Sequence, residues 1–76
     1  DFSAQAIPVL QAREQRVLSG ETAQGLRIVN GGERHTLIFS LNDPVGGINL
    51  LEADGCIGYG EVMVFDKNQK RTVLAN

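Results

Sequence analysis

The chain has 76 residues, a net charge of −2 and a pI near 5.2. That length makes one domain, residues 1–76, which buries only roughly 60% of its unfolded surface, so its own core is a weak source of stability. A single cysteine, Cys56, and a single histidine, His35, exclude an internal disulfide and a metal site built from cysteines and histidines.

Seven basic residues scattered among nine acidic ones leave no electrostatic footprint for nucleic acid. No apolar run reaches the roughly 18 residues that span a bilayer. No basic segment followed by an apolar one marks a signal peptide. The chain opens on Asp1 without Met, which reads as a processed product or a fragment of a longer protein. One unpaired cysteine favours a reducing, cytoplasmic compartment. Small domains without disulfides or metals draw stability from a partner chain or from unusually tight packing, and the first is the expectation here. The expected partners are therefore proteins, in a homodimer or a hetero-assembly, with no cofactor.

In chain order, Asp1 to Gln5 reads as a loose end. Pro8 fixes its own φ and pushes Ile7 towards an extended conformation. Residues 11–18 are compatible with a short helix ending near Gly20, and a strand from Ile7 to Ala12 fits as well. From Gly25 the pattern becomes β. Leu26 and Ile28 alternate with Arg27. Asn30-Gly31-Gly32 is a turn, because these residues tolerate positive φ. Leu37, Phe39 and Leu41 alternate with Thr36, Ile38 and Ser40, which completes a hairpin. Residues 42–47 break the chain, and Ile48 to Leu51 reads as a third strand. Ala53-Asp54-Gly55 is a tight turn. Ile57 to Phe65 reads as one long strand, with Gly58 and Gly60 permitting a bulge. Asp66 to Lys70 is a polar turn before a closing strand, Arg71 to Ala75. The expected fold is mainly β: a small antiparallel sheet or barrel of about five strands, with or without one short N-terminal helix.

One segment carries the functional expectation. In Glu61-Val62-Met63-Val64-Phe65, Val62 and Val64 point to one face, and Met63 and Phe65 to the other. Both faces are apolar, whereas a strand with one wet face alternates apolar and polar. Such a strand expects cover on two sides, from the chain's own leading segment or from a second chain. The candidate interface is Val62, Met63, Val64, Phe65, Val73 and Leu74.

Catalytic signals are sparse. Cys56, His35 and either Asp43 or Asp54 would supply the residue types of a nucleophile–base site, but nothing in the spacing sets a base beside the thiol. His35 reads as a solvated surface histidine. Asp43, Glu52, Asp54 and Asp66 read as turn residues, and no stretch has calcium-loop spacing. The paired glycines fit neither dinucleotide nor Walker spacing.

Two families share local patterns with this chain. Pro44-Val45-Gly46-Gly47-Ile48-Asn49-Leu50-Leu51, then Asp54-Gly55, then Ile57 to Asp66 resembles the second half of a SpoA domain, with Asp54 where that family usually has Asn. SpoA domains form modules of flagellar switches and type III secretion sorting platforms. The resemblance implies an intertwined β dimer that docks partner proteins without catalysis. Arg13 and Arg16, followed by Asn42-Asp43-Pro44-Val45-Gly46-Gly47-Ile48, are similar to the PilZ pattern, although its serine is absent. That resemblance implies a cyclic-dinucleotide site using Arg13, Arg16, Asp43, Gly46 and Gly47. The leading expectation is a self-associating assembly module. The alternatives are a small regulatory ligand-binding domain and a structural pilus or phage subunit.

Overall fold

The structure, a computed structural model, describes residues 2–41 and 50–75. Nine strands run through the described residues: β1 (Phe2–Ile7), β2 (Leu10–Gln11), β3 (Arg16–Val17), β4 (Ala23–Asn30), β5 (Glu33–Ser40), β6 (Leu51–Ala53), β7 (Cys56–Gly58), β8 (Val62–Phe65) and β9 (Arg71–Ala75). They form two antiparallel sheets. The larger has the order β1-β4-β5-β8-β9 and the smaller β3-β2-β6-β7. Successive hairpins alternate between the sheets, which makes the molecule a two-layer sandwich.

Local chemistry explains where the chain changes sheet. Pro8 has no N–H to give a ladder, so β1 stops before it, and Val9 turns inward to 2% exposure. Residues 12–15 turn tightly between β2 and β3, with Gln15 at φ 52° and its side-chain amide donating to the Ala12 carbonyl. They form no helix, because β2 gains more by pairing with β3 and β6 than a two-turn helix would by itself. In the β4–β5 hairpin, Gly31 and Gly32 both have positive φ (60° and 84°), and Asn30 pairs with Glu33. This is the two-residue turn that matches strand twist. Asp54 and Gly55 repeat it between β6 and β7, at 54° and 80°. The opening residues are no loose end: Phe2 to Ile7 pair in unbroken register with Asn30 to Gly25.

The expected long strand from Ile57 to Phe65 is two strands in different sheets. Gly60, at φ 148°, carries the chain across between β7 and β8. The crossing is close. A Cβ on Gly58 would lie 2.8 Å from Arg71 Cδ and 3.1 Å from Met63 Sδ, so a larger residue there would displace those side chains.

The core lies between the sheets. Ile38, Met63 and Phe65 from the large sheet meet Leu51, Ala53 and Cys56 from the small one, with Val9 and Ala23 at one side. Met63 and Phe65 are 0% and 1% exposed. Trimming Met63→Ala leaves a cavity between the sheets and is expected to cost about 2–5 kcal/mol, read from denaturant unfolding. Phe65→Asp sets an unpaired carboxylate in the same place and is expected to abolish folding, seen as loss of the β circular-dichroism signal.

Candidate interaction surface

The pairing register decides which residues share a face. Directly opposed residues in an antiparallel pair lie on the same side of the sheet. One row across the large sheet reads Ala6, Leu26, Leu37, Val64 and Thr72. A neighbouring row reads Gln24, Phe39 and Val62, and another Ala4, Ile28 and His35. All of these point away from the small sheet. The rows that face it contain Ala23, Gly25, Arg27, Thr36, Ile38, Met63 and Phe65.

The outer face is therefore apolar at its centre. Leu26, Ile28, Leu37, Phe39, Val62 and Val64 adjoin one another and are half-buried by their own neighbours. No described strand packs over them. Polar groups sit at the rim: Gln24, His35, Thr72, and Glu33 beside the turn. The small sheet's outer face differs. It has Leu10, Val17 and Ile57, but Glu52 stands among them and accepts a 2.8 Å hydrogen bond from Gln15.

The six residues expected at an interface divide by face. Met63 and Phe65 are enclosed by the domain's own second sheet, and Val73 packs against the same core. Val62 and Val64 belong to the outer apolar face. Leu74 lies at the irregularity in the β8–β9 ladder and is 64% exposed. The sequence reading missed Leu26, Ile28, Leu37 and Phe39 as surface residues. Their alternation was visible, but alternation alone does not say which side is wet.

Arg13 and Arg16 are engaged separately. Arg13 donates to the Tyr59 hydroxyl at 2.9 Å, and Arg16 donates to Gln11. Asp43, Gly46 and Gly47 lie outside the described residues. Cys56 is buried between the sheets, while His35 is on the far side of the large sheet from it. Among the described residues no cluster of metal-ligating side chains occurs.

At one end of the sandwich the inward face becomes charged. Arg27 makes a two-pronged ion pair with Asp54, 2.7 Å from Nε to Oδ2 and 2.8 Å from Nη2 to Oδ1. Arg34 stands 3.8 Å from the same carboxylate. The pair ties the β6–β7 turn to β4, one sheet to the other. The Arg27 hydrogen bonds hold the Asp54 carboxyl below its ordinary value of 3.8, against the opposing effect of burial. Amides of Lys70 and Asn68 lower Asp66 in the same way.

No family model matches this chain, and neither a curated protein nor a solved structure does.

A carboxyl with a depressed folded pKa stabilises the fold fully above its unfolded value and loses that effect as pH falls through the folded one. The melting temperature is therefore expected to drop below about pH 4. Asp54→Asn should melt lower at neutral pH and show a shallower acid decline, because Asp66 still contributes. Parallel acid declines in the two proteins, followed by circular dichroism, would remove Asp54 from this role.

Proposed function

We propose that this domain is a non-enzymatic assembly module that packs the outer face of its large sheet against other protein surfaces, including further copies of itself. One observation carries this reading. The central hairpin turns Leu26, Ile28, Leu37 and Phe39 outward, while its inward side carries Ile38 and Val29 together with Ala23, Gly25, Arg27, Arg34 and Thr36. A domain that works alone gains from covering the outward four as well, since apolar area removed from water stabilises by about 25 cal/mol per Å². An apolar patch rimmed by polar residues is the usual signature of a contact surface. The resemblance to SpoA modules, which dock proteins without catalysis, agrees with it. A catalytic or ligand-binding reading asks for convergent polar groups in a pocket. Among the described residues, the apolar pocket beside Val9 and Leu18 offers one polar side chain, Gln24, already bonded to the Gly20 carbonyl.

The test is a double substitution, Leu37→Lys with Val64→Lys, on the outer face. Each site is half-exposed, so the expected loss of melting temperature is a few degrees. In sedimentation at micromolar concentration the unaltered protein should exceed the mass of one chain, and the variant should form smaller species. A single-chain mass for the unaltered protein, or equal masses for the two, would overturn association through this face.

A further inference from the structure

We infer that Asn30 is the chain's site of spontaneous deamidation, and that the reaction loosens the tip of the β4–β5 hairpin. The inference concerns one turn and does not depend on what covers the outer face.

The sequence narrows the choice. An asparagine loses its side-chain amide when the backbone nitrogen of the next residue attacks its carboxamide carbon. The attack is intramolecular and closes a small ring, so the placement of those two atoms decides its rate. Glycine as the next residue leaves that nitrogen unhindered and its dihedrals free. Within residues 1–76, glycine follows Asn30 alone. Asn42, Asn49 and Asn68 precede Asp43, Leu50 and Gln69.

The structure then separates Asn30-Gly31 from its nearest chemical relative, Asp54-Gly55, which reaches the same cyclic imide by loss of water. Both lie at two-residue hairpin turns. Arg27 holds the Asp54 carboxylate with two hydrogen bonds, at 2.7 and 2.8 Å, and Arg34 stands 3.8 Å away. A clamped, ionised carboxylate is a poor electrophile and is not free to turn on its own backbone. A Cβ on Gly55 would also lie 3.4 Å from Gln69 Nε2. Asn30 has no such restraint. It is exposed, and among the described residues its carboxamide has no hydrogen-bond partner. A Cβ built on Gly31 or Gly32 would meet no atom within 4 Å. Only the ladder holds Asn30, as the last residue of β4, opposite Glu33 and Phe2. End rungs open at small free-energy cost. Opening releases the Asn30 ψ from its extended value and lets the ring close.

The reaction balances as a hydrolysis. The Gly31 N–H gives its proton to solvent, and its nitrogen bonds to Asn30 Cγ. The Cγ–Nδ2 bond breaks, and ammonia leaves with a proton from water. Water then opens the imide. Addition at Cγ gives aspartate at position 30. Addition at the main-chain carbonyl gives isoaspartate, whose main chain carries one extra methylene. Nothing is oxidised or reduced. Either product sets a carboxylate directly opposite Glu33 on the same face of the sheet, where like charges destabilise the pair. The extra methylene also displaces the Asn30–Glu33 rung that closes the hairpin.

The experiment incubates the unaltered protein in warm neutral buffer and follows it by peptide mass mapping. An isoaspartyl methyltransferase counts the rearranged product. The mass change from NH2 to OH should appear first in the peptide carrying Asn30. It should run roughly tenfold or more ahead of the change at Asn68 and of isomerisation at Asp54. Asn30→Gln, which closes its larger ring far more slowly, should lose the change and melt as the unaltered protein does. In the isoaspartate form, separated by chromatography, hydrogen exchange at the Glu33 amide should quicken roughly tenfold or more, with the Ile38 amide unchanged. A first change at another residue, or equal rates at Asn30 and Asn68, would overturn the site. Equal exchange at Glu33 before and after reaction would overturn its effect on the hairpin.

Discussion

β8 has two apolar faces, and a chain of 76 residues builds two layers. Met63 and Phe65 receive their cover from the small sheet, whose β6 and β7 bring Leu51, Ala53 and Cys56 over them. That cover works only at close range. Gly58 lets β7 lie against the Met63 sulfur, and a Cβ there would press on the Met63 and Arg71 side chains. Having used its second layer on this side, the chain has no described strand left for Val62 and Val64. The bare face is a consequence of how the core is closed.

The same closure explains the inward arginines. Arg27 and Arg34 sit on the core side of β4 and β5, near the turn, where an apolar residue is the simpler choice. The small sheet is short, and its β6–β7 turn arrives at that level with Asp54. A carboxylate brought against a guanidinium in a two-pronged geometry is a strong, directional contact. It fixes the sheets' relative position at the end where apolar packing has run out. With Arg27 directed inward, the strand's alternation forces Leu26 and Ile28 outward. Charge inside and grease outside are one arrangement seen from two sides.

Much of this was legible in the residues. The closing strand, the polar turn at Asp66 and the glycine turn of the central hairpin follow from φ tolerance and period-two alternation, which are local properties. The strand character of Phe2 to Ile7 was not, because Ser3, Ala4, Gln5 and Ala6 carry little strand propensity and the segment becomes a strand by pairing with β4. The split between β7 and β8 was also hidden: Ile57 to Phe65 reads as one extended run until Gly60 is seen to move the chain between sheets. The two-sided nature of β8 was visible. Which of its sides the domain covers itself was not, because burial of Met63 and Phe65 depends on a second sheet assembled from four very short strands. Short strands leave almost no periodic signal.

The apolar face and the bare edge are adjacent, and their adjacency constrains what the molecule can be. An uncharged edge and an uncovered apolar face are each an aggregation hazard when left in water. Elsewhere the chain shows the usual defences: Arg71 and a ladder irregularity at β9, very short strands at both edges of the small sheet, and Glu52 within that sheet's outer face. A sequence under no pressure to keep contacts open would carry the same defences everywhere. Among the described residues, the β1 edge and the face running across Leu26, Leu37 and Val64 carry none of these defences. A single lysine at Ala4 or Leu37 would protect that region at small cost to the fold, since neither position belongs to the core. The distribution of charge thus divides the described surface, with the outer face and the β1 edge of the large sheet lacking the charges carried at β9 and on the small sheet's outer face.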